Sequence, residues 1–135
     1  MGSFSSIDIS SSGLFAQRTR LDAIANNIAN ANTTRTDAGG PYKKQEVVFR
    51  ARTAEDGTTA GVDVEEVAES PAPSRMVYDP SSPDANSDGM VAMPNVNIVE
   101  EMVDMISATR AYEANVQAIQ AAKSMASKAL DLGKV

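Results

Sequence analysis

The last third of the chain carries apolar residues at a spacing typical of a long helix with one buried side. They alternate between four and three residues apart, as on the inner side of a coiled coil, at Ile98, Met102, Met105, Thr109, Tyr112, Val116 and Ile119. Pro94 precedes the segment, and Asn97 with Glu100 three residues later is a typical helix start. The pattern predicts a helix from about residue 96 to residue 132, roughly 55 Å long at about 1.5 Å per residue.

Small residues form a second side of this predicted helix, separate from the heptad stripe. At about 100° per residue, that side holds Ala108, Ala111, Ala118, Ala122, Met125 and Ala129. Because small side chains let a second helix approach closely, this alanine side predicts packing between subunits. The alternative is a solvated side, since Ala is simply the best helix former.

The beginning of the chain carries a weaker version of the same signal. The apolar residues at heptad spacing are Ile7, Leu14, Leu21 and Ile28, with Ile24 and Ala31 at the intermediate position. Ser10 to Ser12 offer N-cap oxygens, and Gly13 weakens the first helical turn. We therefore expect a helix that begins near residue 12, after an irregular segment 7–11, and ends by about residues 32 to 34.

Three asparagines lie in the second half of this first helix, although Asn is a poor helix former. Asn26 and Asn30 project away from the apolar seam, and Asn27 lies at its flank beside Arg20. Two interpretations stay open at this point. The amides are solvated, or they pair within an assembly and set the register of packed helices.

The segment from residue 36 to residue 94 loses the helical period and gains turn residues. It holds all six Pro and five of the eight Gly, between short β-branched runs. These runs predict strands at 42–52, 62–67, 76–78 and 90–93, with a turn at Glu55-Asp56-Gly57. The chain is thus divided into an N-terminal helical segment 1–35, a β-rich insert 36–94 and a C-terminal helix 95–135. The predicted fold is mainly α with a small β insert, its terminal helices packed as an antiparallel coiled-coil hairpin.

The composition removes most of the chemistry that a small enzyme would use. The chain has no His and no Cys, so it lacks the usual general base at neutral pH, thiol nucleophiles and the commonest zinc ligands. A net charge of −6 without a basic stripe argues against nucleic acid as a partner. No run reaches the roughly 20 apolar residues of a membrane span. We expect no catalytic site, no cofactor, no metal and no membrane insertion.

One short motif follows the opening of a calcium-binding loop. Asp84, Asn86, Asp88 and Gly89 have its spacing, but Asn95 stands where the loop needs a bidentate Glu. An Asx-rich turn is therefore the expectation for this segment.

Two stretches of sequence carry a family signature. The N-terminal one is SGLFAQRTRLDAIANNIANANTT, with Leu14, Arg20, Leu21, Asn27 and Asn30 at motif positions. The other joins GGPYKKQEVVFRA in the first strand to the C-terminal MPNVNIVEEMVDMISATRAYEANVQAIQAAKSMASKALDLGK. They resemble the flagellar axial proteins of bacteria, most closely the proximal rod proteins of the basal body, over nearly the whole chain.

The resemblance implies a structural subunit of the rod, the drive shaft that transmits torque from motor to hook. It implies copies of itself and other rod proteins as partners, and the flagellar type III export apparatus as a partner in transit. It also implies a periplasm-spanning location without a cleaved signal peptide, and terminal segments that are poorly ordered until they assemble. Two alternatives remain: a distal rod or hook type of axial protein, or a soluble coiled-coil export chaperone or regulator.

Within that function, each terminal helix has expected contact residues. We expect Leu14, Leu21 and Ile28 to hold the helical hairpin with Met105, Tyr112 and Val116, and the alanine side to meet neighbouring subunits. The full set of predicted packing residues is Leu14, Leu21, Ile24, Ile28, Asn27, Asn30, Met102, Met105, Tyr112, Val116, Ile119, Ala108, Ala111, Ala118 and Ala122.

Overall fold

The structure is a computed structural model that describes residues 3–55 and 57–133, with Ser3 and Phe4 described by their backbone alone. It contains two helices and four strands, and the mainly α class with a small β insert is confirmed. In chain order these are α1 (Ser3–Ala29), β1 (Gln45–Thr53), β2 (Thr59–Glu69), β3 (Arg75–Tyr78), β4 (Met90–Met93) and α2 (Ile98–Leu132).

The start of α2 agrees with the sequence prediction. Asn97 is the N-cap, and its Oδ1 accepts a hydrogen bond from the backbone N–H of Val99 at 3.1 Å. Glu100 and Glu101 occupy the first turn, where negative charge interacts favourably with the helix dipole. Among the described residues, neither helix combines the length and the apolar content that a membrane span requires.

The start of α1 differs from the prediction. The helix begins at Ser3, and the segment 7–11 is helical, so the expected start near residue 12 was wrong. Ser12 explains the difference, because its hydroxyl donates to the Ile9 carbonyl at 2.7 Å and accepts from the Val62 N–H at 3.1 Å. Packing against β2 stabilises a serine-rich segment whose helix propensity alone is weak.

The two helices pack against each other and run in opposite directions. Arg20 forms an ion pair with Asp104 at 3.4 Å. Seven residues later along α1, Asn27 contacts Glu101, which comes earlier along α2. Among the described residues, no strand comes into close backbone contact with α2. The backbone of the first hairpin therefore packs against the helix pair through α1.

The first β-hairpin lies along α1. β1 and β2 pair antiparallel, and both strands contact α1. In the connection between the strands, the Ala54 N–H donates to the Thr58 carbonyl at 2.8 Å and the Gly57 N–H donates to the Ala54 carbonyl at 2.9 Å. Asp56 of the predicted turn lies outside the described residues. Gly61, with φ +130°, permits the close approach, because a Cβ at this position would collide with Oγ of Ser12.

The second hairpin pairs β3 with β4, from Arg75 opposite Met93 to Tyr78 opposite Met90. Both strands were predicted, the second with its exact bounds. The loop between them contains the expected Asx turn, in which Oδ1 of Asn86 accepts from the N–H groups of Asp88 and Met90, each at 2.9 Å.

Asp84 of the same loop ties the second hairpin to the chain that follows α1. Its carboxylate accepts a hydrogen bond from the Thr34 hydroxyl at 2.8 Å and forms an ion pair with Arg35. These two contacts lower the pKa of Asp84 below its ordinary value, the Thr34 hydrogen bond having the larger effect. The carboxylate that the calcium motif singles out is thus used to anchor the loop.

Candidate functional site

The side of α2 that faces α1 is lined by small and polar residues. Its central positions lie seven residues apart, at Glu101, Ala108, Asn115 and Ala122. The first, second and fourth of these are buried, with 1%, 0% and 3% of their surface exposed. Gly13 of α1 lies so close to Asn115 that an added Cβ would be 2.9 Å from its Oδ1. We call this the inward side of α2.

The inward side differs from the predicted heptad stripe at every second position. Met105, Tyr112 and Ile119 belong to both and are half-buried. The remaining stripe residues lie at the edge of the helix contact or outside it. Ile98, Met102 and Thr109 are exposed, and Val116 is half-buried.

The contact surface of α1 also differs from its predicted stripe. Small residues lie at its centre, where the large residues of the stripe were expected. Its buried side chains are Ser12, Ala16, Ala23, Ile24 and Asn27, and Ala31 in the turn after the helix is buried too. Leu14, Leu21 and Ile28, the expected centre of the seam, are half-buried at its flank. Two neighbours account for this difference. Because α1 is covered by the first hairpin as well as by α2, the part of its circumference that is buried is wider than one heptad stripe.

The predicted alanine side of α2 is divided between two environments. Ala108 and Ala122 were expected to face neighbouring subunits, and they are instead buried against α1. Ala111 is half-buried, and Ala118 is exposed. Exposure continues along that side to Met125 and Ala129.

A polar cluster with two buried and three half-buried members, which we call the joint, connects α1, α2 and the beginning of β1. It consists of Asn27, Tyr42, Lys44, Gln45 and Glu101. The Asn27 amide, 1% exposed, donates to the Gln45 carbonyl at 2.9 Å and to Oε2 of Glu101 at 3.0 Å. Its Oδ1 accepts from the Gln45 N–H at 2.8 Å and from the Tyr42 hydroxyl at 2.9 Å. Both donors and both acceptor positions of the amide are therefore used.

The charge of Glu101 is balanced by Lys44. The Lys44 ammonium lies 2.9 Å from Oε1, and within residues 3–55 and 57–133 no further hydrogen bond reaches that oxygen. The hydrogen bond to Glu101 raises the pKa of Lys44, while burial and the negative charges of Glu101 and Glu69 raise the pKa of Tyr42. A buried carboxylate is tolerated because this cation and the Asn27 amide compensate it.

Asn30 has local partners, and Asn26, whose side chain is exposed, contributes its backbone carbonyl. The Asn30 amide donates to the Asn26 carbonyl at 3.0 Å, and its Oδ1 accepts from the Thr33 hydroxyl at 3.1 Å. These bonds satisfy the C-terminal end of α1. Asn27 was among the packing residues predicted from the sequence, whereas Glu101 and Lys44 were not. The seven-residue spacing of Glu101 from Ala108 was the signal that could have identified it.

The side of α2 that faces away from α1 begins with large apolar residues. Val99, Met102, Val103 and Ile106 are 69%, 54%, 59% and 57% exposed. Helical geometry places Val99, Val103 and Ile106 opposite the inward side and Met102 at their flank. We call them the outward patch. Further along the same side the residues are polar or small, among them Arg110, Gln117 and Ala121. Contiguous exposed apolar residues of this kind mark interaction surfaces.

Two family models match the terminal segments of the chain. The model described as "Flagella basal body rod protein" matches residues 7–35. The model described as "Flagellar basal body rod FlgEFG protein C-terminal" matches residues 87–132. The matched segments contain the helix contact, two members of the joint and the whole outward patch.

Similar proteins extend over nearly the full chain. The chain is 47% identical to the "Flagellar basal-body rod protein FlgC" of Borreliella burgdorferi, over 96% of this chain and 97% of the relative. Proteins of the same name from Escherichia coli O6:H1 and Bacillus subtilis are 46% and 40% identical. They cover 94% and 99% of this chain, and 95% and 100% of their own length.

Proposed function

Because this chain belongs to the FlgC family of flagellar basal-body rod proteins and is a structural subunit of the proximal rod, we propose that the outward patch joins it to neighbouring subunits. The exposure of Val99, Met102, Val103 and Ile106 on one side of α2 is the observation that carries this proposal. Burying each such side chain contributes roughly 1.5 to 3 kcal/mol, so several contacts per subunit give a stable tube without any single strong bond.

We further propose that α1 and α2 act as an antiparallel coiled coil. The seven-residue spacing of Glu101, Ala108, Asn115 and Ala122 supports this arrangement, because such a repeat keeps one side of a helix against its partner over many turns. A torque-bearing subunit benefits from a contact distributed along two long helices, since the load is shared.

A second neighbour contact is proposed for the exposed alanines of α2. Ala118 lies on this side with Met125 and Ala129, and its small side chain would let a neighbouring helix approach closely. Replacing Ala118 by Glu should block motility while export continues. Unimpaired swimming of that variant would count heavily against this contact.

The proposed partners are other copies of this chain, other rod proteins and, in transit, the flagellar type III export apparatus. The proposed location is the rod where it spans the periplasm, reached without a cleaved signal peptide. Basal-body assembly follows from the family; the route and the individual partners are our inference from it. The Tyr112→Asp variant should prevent rod completion, because Tyr112 is half-buried between the two helices.

The Val103→Asp variant is the direct test of the outward patch. A charge in the centre of this patch should abolish rod assembly and swimming, because the patch would have to bury an unpaired carboxylate. Ala121→Asp is the matched control: it lies 18 residues later, about five turns at 3.6 residues per turn, on the polar part of the same side. Secretion should be unchanged in both variants, and normal swimming of Val103→Asp would overturn the proposal.

The competing function, a soluble coiled-coil chaperone or regulator, makes a different prediction for the purified chain. Such a module would keep both helices fully formed alone, whereas the family resemblance implies terminal segments that order on assembly. Circular dichroism of the free chain measures the difference directly. A helix content that matches α1 and α2 in full, together with a discrete soluble oligomer, would favour the module.

A further inference from the structure

The apolar residues between α1 and α2 do little to determine the register, which is the alignment of one helix along the other. On α1 the buried alanines Ala16 and Ala23 lie seven residues apart, and on α2 Ala108 and Ala122 lie on the same inward side. A slide of one heptad, about 10 Å at about 1.5 Å per residue, would place Ala108 or Ala122 where Asn115 now lies beside Gly13, so small residues would still lie between the helices. Packing of alanines alone therefore discriminates weakly between the observed register and its slipped alternatives.

The joint distinguishes the observed register from the slipped ones. In either slipped register, Glu101 would lose both the Lys44 ammonium and the Asn27 amide, and the buried Asn27 amide would lose its carboxylate partner. Where the slide keeps Glu101 between the helices, its charge would be uncompensated. An uncompensated buried charge is far more costly than any change in alanine packing. The joint penalises the slipped arrangements, as single polar residues do in coiled coils.

The joint also connects the β insert to α2. Lys44 immediately precedes β1 and Gln45 is its first residue, and no strand has close backbone contact with α2 among the described residues. The Lys44 ion pair with Glu101 and the Asn27 bridge to Gln45 therefore fix where α2 lies relative to the first hairpin.

We propose that Asn27, Glu101 and Lys44 are positioning residues that set the register of α2 against α1 and against the first hairpin. The consequence for the rod rests on the proposed function. The register determines the position of the outward patch along the helix axis relative to the first hairpin. The contacts of the joint lie within one chain. Because the terminal segments are expected to be poorly ordered until they assemble, the pairing is tested in the purified chain with a stabilising osmolyte, which favours the folded form.

Engineered disulfides read the register directly, because the chain contains no cysteine of its own. Gly13→Cys with Asn115→Cys reports the observed register, since these residues are in contact. Gly13→Cys with Ala108→Cys and Gly13→Cys with Ala122→Cys report slides of one heptad in either direction. The measurement is the rate of intramolecular disulfide formation in the purified chain, from which a native-to-slipped ratio follows.

In a chain with no substitution other than the cysteine pair, the disulfide between positions 13 and 115 should form much faster than the disulfides that report the slipped registers. Adding Glu101→Met should lower the native-to-slipped ratio by about tenfold or more, because the charge-specific pairing is gone. Glu101→Gln keeps an acceptor for the Asn27 amide and should lie between the two. Glu100→Met, an exposed neighbour of the same chemistry, is the control and should leave the ratio unchanged.

The double variant separates positioning from general stability. If Lys44 acts through Glu101, then Lys44→Met should lower the ratio alone but have no further effect in the Glu101→Met background. Should Glu101→Met lose its helical circular dichroism, Glu101→Gln and Asn27→Leu decide the question. A ratio near one in the unsubstituted chain, or an unchanged ratio in folded Glu101 variants, overturns the proposal. Swimming of the outward-patch variants is a separate readout that reports on the proposed function alone.

Discussion

The inward and outward sides of α2 reverse the distribution of residues found on most helices of small proteins. The inward side holds alanines and a buried carboxylate, whereas the outward patch holds four large apolar side chains that are each more than half exposed. Small inward residues permit a close contact with α1 whose register is fixed by polar pairing. Large outward residues leave apolar area uncovered. The difference agrees with the two proposals, that polar pairing sets the register within the chain and that neighbouring subunits bury the outward patch.

The strongest way to break this comparison is a charge on the inward side. Ala108→Asp places an unpaired carboxylate at a position with 0% exposure, which should lower the free energy of unfolding by about 3 to 5 kcal/mol. Urea unfolding of the purified chain in a stabilising osmolyte, which favours the ordered helix pair, measures the loss. Ala118→Asp, exposed on the same helix, should stay within about 0.5 kcal/mol of the parent. Equal losses in both variants would mean that the two positions are not differently buried.

Alkaline pH should weaken the inward contact through the joint. The folded chain raises the pKa of Lys44 above 10.5 and that of Tyr42 above 10.0, so it holds both protons more tightly than the unfolded chain does. The stabilisation is complete below about pH 10 and is lost as the pH rises through the raised pKa values. Unfolding curves from pH 9 to pH 11.5 measure this slope. Lys44→Met with Tyr42→Phe should flatten it, and a slope unchanged by that double variant would exclude the joint as its source.

Gly13 tests how close the inward contact is. An added Cβ would lie 2.9 Å from Oδ1 of Asn115, whose amide donates to the Ala111 carbonyl at 2.9 Å. Gly13→Ala should therefore gain little in the parent, because displacement of Asn115 offsets the better helix propensity. In the Asn115→Ala background the same change should stabilise by about 0.5 to 1 kcal/mol. Identical effects in both backgrounds would show that the two residues do not touch.

The smallest effect on the isolated chain is expected from the outward patch. Val103→Ser removes an apolar side chain that is 59% exposed, and the free energy of unfolding should change by less than about 0.5 kcal/mol. Swimming should nevertheless be clearly impaired, since the proposed neighbour contact loses part of its buried area. A large loss of stability without any loss of motility would place Val103 inside the fold of the single chain.

Local signals in the sequence were sufficient for most of the secondary structure. The Asn97 cap and the apolar period defined α2, and β-branched runs between turn residues located the strands. The start of α1 was missed because Ser12 depends on Val62, a residue distant in sequence. Such tertiary support cannot be read from propensity alone.

The rotation of both helices was equally hidden from the sequence. An apolar stripe was taken as the seam because large residues usually mark the core, but Leu14 and Leu21 lie at the flank and Ala16 at the centre. α2 has apolar residues on several sides, so periodicity alone allows more than one inward side. The joint was predictable only in part, since the partners of Asn27 come from two other segments of the chain.

The opposite directions of α1 and α2 have a mechanical consequence. They bring Ser3 and Gly133, the described ends of the chain, to the same end of the helix pair, while Asn27 and Glu101 lie at the other. A force that pulls those ends apart would peel the helices open turn by turn and reach the joint last. A force along the helices would instead shear every contact at once. The subunit is therefore compliant to peeling and stiff along its length, which suits a component of a rotating shaft.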